Sequence, residues 1–225
     1  MMAVDRAPLT GSRRPVGRRA GIDLEQIVRA ARSLDVGRLT VQAVADKLGV
    51  DRKAVRHHVT DRETLLRFVA LDAFSESAAA VDIPEECSWQ DACRSYATAF
   101  ADAVIALDAL AEHLPPDASI HPRFGEPVEA VSRKLVEAGF SDEAALRSLA
   151  LLNSICMAHA QDTVFVMRDG ERPRRRLAQE TLDGRDQQFS TFARMVALGI
   201  DTYDRRQFDM SIDAFLLGVE ALHLR

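Results

Sequence analysis

Apolar positions recur at helical spacing along most of the chain. Asp23, with Gln26 three residues on, reads as a capping box, followed by Leu24, Ile27, Val28, Ala31 and Leu34 on one stripe, with Gly37 ending the helix. Thr40 is placed to cap a short second helix, Val41–Leu48, which Gly49 ends. Asp51 is placed to cap a third, reaching about Val59. Thr60 and Glu63 read as another capping box. They open a helix through Leu65, Leu66, Val69, Ala73 and Phe74 toward Ala80.

Pro84 breaks the pattern. Ser88 and Asp91 then open a long helix whose stripe is Trp89, Cys93, Tyr96, Phe100, Ala103, Leu107, Leu110 and Leu114, in steps of four and three, stopped by Pro115–Pro116. Pro127–Ala138 reads as a shorter helix with Gly139 behind it, and Ser141 as the cap of one reaching about Met167. The arginine-rich segment 168–185 reads as a loop. Two last helices are expected over about Asp186–Leu198 and Arg205–Leu222. No run shows sustained strand alternation, so the expected class is all-α, with about nine to ten helices.

Composition narrows the class of function. The 225 residues suit one domain or two small ones; 28% are charged and 47% hydrophobic, as in globular proteins. The longest stretch free of Asp, Glu, Lys and Arg, Ser148–Gln161, has 14 residues, short of the roughly 20 a membrane helix needs. No apolar segment follows the N-terminal arginines, so no secretory signal is read there. Cys87, Cys93 and Cys156 are too few and scattered for a disulfide framework or a four-ligand zinc site. A cytoplasmic setting is expected. The net charge of −5 hides an asymmetry. Residues 1–67 carry 14 Lys+Arg against 8 Asp+Glu, and residues 68–225 carry 15 against 26. A basic first third on an acidic remainder fits a nucleic-acid-binding head on a body with another task, although an arginine-rich chain can also cluster charge by chance. Residues 1–20 lack an apolar period and read as a flexible basic arm.

Thr40–Val59 is the most informative segment: helix, tight turn, helix. A helix-turn-helix needs a small residue where the second helix packs close (Ala45), a turn residue tolerant of positive φ (Gly49), and an apolar anchor on the inner face of the second helix (Val55, with Val59 one turn on). By subtraction the outer face carries Arg52 and Arg56 on one ridge, and Lys53, His57 and Thr60 on the next. Such a face fits a major groove, where Arg and Lys meet guanine edges or phosphates. His57–His58 is no metal pair: adjacent helical side chains point about 100° apart and no third ligand is near.

The segment LTVQAVADKLGVDRKAVRHHVTDRETLL, Leu39–Leu66, resembles the DNA-binding head of tetracycline-repressor-type regulators, over residues 23–75. The likeness lies in the Leu-Thr opening, Ala-x-x-Leu-Gly-Val at the turn, His-Val ending the third helix, and Arg62 starting the fourth. SWQD at Ser88–Asp91 and FDMSIDAFLLGVEAL at Phe208–Leu222 resemble that family's regulatory domain. The resemblance implies that the third helix enters the major groove and that Arg62 holds a phosphate. It implies DNA contacts from Thr40, Gln42, Arg52, Lys53, Arg56, His57, His58, Thr60 and Arg62. One departure is Arg56, where the family usually has a phosphate-contacting Tyr. The implied organisation is an arm over 1–20, a DNA-binding domain over 21–67, and a ligand-binding and dimerisation domain over 68–225.

The last helix carries Phe208, Ile212, Phe215, Val219 and Leu222 on one stripe, widened by Ala214, Leu216 and Leu217. So wide an apolar arc must be covered on more than one side. With Phe189, Phe192 and Val196 of the preceding helix it could form half of a four-helix dimer bundle, or pack within its own subunit. Polar residues on stripes that should be buried mark a candidate ligand pocket: Tyr96, Phe100 and His113 on the long helix, facing Asn153, Cys156, His159 and Asp162. The family's tetracycline contacts do not carry over by motif. No Gly-rich phosphate loop, Gly-x-Ser-x-Gly or His-Glu-x-x-His occurs, so no enzyme, cofactor or metal is expected. The expected function is a ligand-responsive regulator that represses from a palindromic operator as a homodimer, is released by a small-molecule inducer, and does not act at a membrane. The alternatives are a helical small-molecule-binding protein without DNA binding, and a helical-bundle enzyme.

Overall fold

A computed structural model describes residues 21–115 and 124–223. The expected arm, 1–20, lies outside them. The described residues form α-helices and short 3₁₀ turns, with no strand among them. The helices are α1 (Leu24–Arg32), α2 (Val41–Leu48), α3 (Arg52–Arg56), α4 (Arg62–Ala78), α5 (Trp89–Ile105), α6 (Gly125–Glu137), α7 (Asp142–Asp169), α8 (Pro173–Leu182), α9 (Ser190–Ala197) and α10 (Arg205–His223).

The head is a tight aliphatic cluster. Ile27, Val28 and Ala31 of α1 meet Val44 and Ala45 of α2, Val55 and Val59 at α3, and Leu65 and Leu66 of α4. The Asp23–Gln26 capping box forms as expected. α1 stops at Arg32, short of the expected end at Gly37. The Ser33 hydroxyl donates to the Ala30 carbonyl, and the Asp35 carboxylate caps a separate 3₁₀ turn, Val36–Arg38. Thr40 caps α2 as predicted. Gly49 follows α2 at φ 66°, a left-handed conformation that an L side chain resists, and this turns the chain into α3. α3 is one turn shorter than expected. α4 is capped by Asp61, not Thr60, because the Asp61 carboxylate accepts from the Thr64 amide at 2.8 Å.

The predicted long helix to Leu114 is two elements. α5 ends at Ile105 and the chain continues as a 3₁₀ turn, Asp108–His113. The break is at Asp108, whose φ is +47°; aspartate is among the few non-glycine residues that enter this region readily. α5 and α7 then pack along their lengths, with α6 beside them and α10 across both. α7 is long and apolar enough to cross a membrane by length and composition alone; its Leu149, Leu152, Cys156 and Ala160 are instead buried in the core. The arginine-rich segment expected as a loop contains α8. Proline at its first position and ion pairs from Arg176 to Glu171 and Glu180 support it. One continuous core joins head and body, and α4 runs unbroken through the boundary expected at residue 67.

Candidate nucleic-acid interface and sensing core

The candidate DNA-contacting residues all stand on the surface. Val55 and Val59 are fully buried under α3, which turns Arg52, Lys53, Arg56, His57 and His58 outward. None of these five side chains has a hydrogen bond or ion pair among the described residues. Five solvated donor groups without an internal partner form a surface whose charge is available to an anion. The remaining candidates are engaged. The Thr40 hydroxyl caps α2, accepting from the Ala43 amide at 3.0 Å. The Gln42 amide donates to Asp46 at 2.7 Å. Thr60 bonds Asp61 and Thr64. Arg62 is turned back on the main chain: Nε donates to the Leu39 carbonyl at 2.9 Å and Nη2 to the Val36 carbonyl at 3.1 Å. Sequence reasoning missed Asp46 as the holder of Gln42, although the four-residue spacing within one helix signals it.

The seven candidate ligand residues separate into three places. Tyr96, Phe100, Asn153 and Cys156 come together between α5 and α7. The Tyr96 hydroxyl donates to Asn153 Oδ1 at 2.7 Å. Phe100 packs edge-on to Phe74 at 5.1 Å, and Phe124 lies 5.5 Å from Tyr96. These side chains pack against one another in the region where the ligand pocket is expected. Burial raises the Tyr96 phenol above its ordinary pKa and pushes the Cys93 and Cys156 thiols up to about 12, so all stay neutral. His159 and Asp162 lie nearer the edge. The His159 ring stacks on Phe208 at 4.4 Å, and Asp162 pairs with Arg174 of α8. Burial, and then the charge of Arg205, lower the His159 pKa. His113 lies elsewhere: because the chain breaks at Asp108, its Nδ1 sits 3.2 Å from Glu63 on α4. Two open clefts are present, one of about 660 Å³ between α1 and α4 and one between α8 and α9; neither is lined by any of the seven.

The residues of the expected dimer stripe on α10 mostly face the interior of this chain. Phe208, Ile212, Phe215 and Val219 are buried in their own subunit, Phe215 to 5% exposure, against α5 and α7. Helical periodicity identifies an apolar face without saying what covers it. The uncovered side of α10 carries Met210, Leu217 and Leu222, with Leu217 69% exposed. Leu146 and Leu151 of α7 are also exposed. Phe189 and Phe192 are partly exposed, and Val196 is half-buried.

No protein-family model matches the chain, and no curated protein does. Solved structures do. A TetR transcriptional regulator from Streptomyces coelicolor is 25% identical, with a TM-score of 0.64 over 90% of this chain and 99% of that one. ActR of the same organism, a TetR family protein solved with (S)-DNPA, is 19% identical, with a TM-score of 0.68 over 91% of this chain and 100% of that one. A substituted TetR from Acinetobacter baumannii, in complex with minocycline, is 19% identical, with a TM-score of 0.59 over 90% and 98%. The short helix-turn-helix head, the unbroken α4 and the α5–α7–α10 bundle are thus the parts of one known architecture, and the chain has the TetR-type fold.

Proposed function

We propose that this chain is a cytoplasmic, ligand-responsive transcriptional regulator that binds a palindromic DNA duplex as a homodimer and represses until a small molecule releases it. The observation that carries the reading is the outer face of α3 and the turn after it, where Arg52, Lys53, Arg56, His57 and His58 are exposed, with no side-chain partner among the described residues, over the buried Val55. Residues 21–67 form the DNA-binding unit and 68–225 the sensing and dimerising unit. The structural neighbours are regulators, not enzymes, and two were solved with minocycline and with actinorhodin. That supports a sensing role for the body here. The site is the α5–α7 core, where Tyr96, Asn153 and Cys156 offer polar atoms among Phe100, Phe74 and Phe124. The fit is to a mostly apolar ligand held by few hydrogen bonds, which must open this packing to enter.

Two copies are needed to read two half-sites. The uncovered apolar side of α10, with Met210 and Leu217, is the proposed meeting surface. Selection from random duplexes tests the reading. The wild type enriches a palindrome, and Lys53→Ala with Arg56→Ala loses about 1–3 kcal/mol per base contact removed. Leu217→Glu gives a folded monomer by light scattering that binds half-sites weakly. A wild type that enriches no sequence, or that is monomeric at micromolar concentration, overturns it.

A further inference from the structure

Arg62 stands at the first position of α4, where the positive end of the helix dipole disfavours a cation. Its guanidinium is committed to two main-chain oxygens, those of Leu39 and Val36, 23 and 26 residues earlier in the chain. Leu39 is the last residue before Thr40 caps α2, and Arg62 is the first residue of the helix that follows α3. The two hydrogen bonds therefore tie the ends of the helix-turn-helix together, with α2 and α3 held inside the closed loop. Each end is fixed in its own right. Leu39 is buried and its amide donates to Val36, while Asp61 caps α4 beside Arg62.

We infer that Arg62 is a positioning residue that clamps the reading helices onto α4, so that α2 and α3 follow α4 as one block, and that this, rather than a phosphate contact, is its main contribution to operator recognition. Only the consequence for recognition rests on the DNA-binding reading; the clamp does not. A planar guanidinium can offer two N–H groups of one fork to two separate carbonyls. A lysine ammonium keeps the charge without that fork, and a glutamine amide keeps limited donor capacity without the charge.

The test compares full-length Arg62→Lys and Arg62→Gln with wild type at a temperature where all three are folded. Two readouts are used: amide hydrogen exchange over residues 36–44 without DNA, and the salt dependence of affinity for the selected palindrome and for an unrelated duplex. Both variants should exchange roughly tenfold faster over 36–44, and bind the palindrome about tenfold more weakly, as expected for losing hydrogen bonds from a charged group. Their affinity for the unrelated duplex and their salt slope should match wild type. The inference is overturned if Arg62→Lys behaves as wild type while Arg62→Gln weakens both duplexes alike and loses about one from the salt slope, the signature of a phosphate contact. Unchanged exchange over 36–44 also overturns it. If wild type binds no duplex while both variants exchange faster, the clamp stands and the DNA-binding reading falls.

Discussion

Between Ile27 and Leu66 every buried side chain of the head is aliphatic, whereas the body buries Tyr96, Cys93, Cys156 and Ser148 among its apolar residues, with Asn153 and His159 half-buried beside them. The two interiors answer different demands. An aliphatic core has no polar atom to satisfy and no alternative hydrogen bond to adopt, so it holds α3 in one orientation. A core seeded with polar atoms can exchange an internal hydrogen bond for one to a ligand at modest net cost. The Tyr96–Asn153 bond is such an exchangeable pair. The Ser148 hydroxyl, buried without a hydrogen-bond partner among the described residues, marks a second place where the body tolerates unsatisfied polarity.

The largest effect should come from the aliphatic side. Leu66→Ala removes a fully buried side chain and should cost about 2–5 kcal/mol of stability by denaturant unfolding. DNA affinity per folded molecule should remain as in wild type. If the protein stayed folded but lost sequence preference, the head would be less rigid than the contrast requires. Tyr96→Phe should cost less, about 0.5–1.5 kcal/mol, because it removes the hydrogen bond that Tyr96 donates to Asn153. It should leave DNA binding intact while changing the response to any inducing ligand. Unaltered response, measured by release from the palindrome, would place the sensing site elsewhere.

The smallest effect concerns acid. Burial and Arg205 hold the His159 pKa below its ordinary value, so the unfolded chain takes up this proton first. The stability from keeping His159 neutral is complete above the unfolded imidazole pKa, roughly 6.5. It is lost progressively as the pH falls from there toward the lower folded value. Thermal unfolding from pH 7.5 to 5 should decline more steeply in wild type than in His159→Gln. Parallel curves would show that the ring stacked on Phe208 is indifferent to its charge.

The same contrast explains what the sequence made legible. In the head, local chemistry decides: the Thr40 cap, Gly49 turn and Val55 anchor each act within a few residues, and each stands where expected. The misses there are contests between neighbours, such as Thr60 against Asp61, which the carboxylate wins by reaching the Thr64 amide. In the body, tertiary packing decides. The break after Ile105 was hidden because a 3₁₀ turn also repeats at i+3, so Leu107, Leu110 and Leu114 prolong the stripe of α5. α8 was hidden because its ten residues carry little apolar pattern. The polar residues on buried stripes were found, but only contacts between helices show that Tyr96 meets Asn153 while His113 meets Glu63. Arg62 was legible as a cation at the start of α4; its two carbonyl partners, more than twenty residues away, were not.

The left-handed backbone at Asp108 also decides reach. Had α5 continued straight through Leu114, its last nine residues would have extended the rod by about 13 Å at 1.5 Å per residue. The folded-back turn instead brings His113 to the first turn of α4, two residues beyond the Asp61 cap. One dihedral therefore converts a stretch of rod into a short crossbar, and the interior of the body and the start of α4 come to share a neighbour.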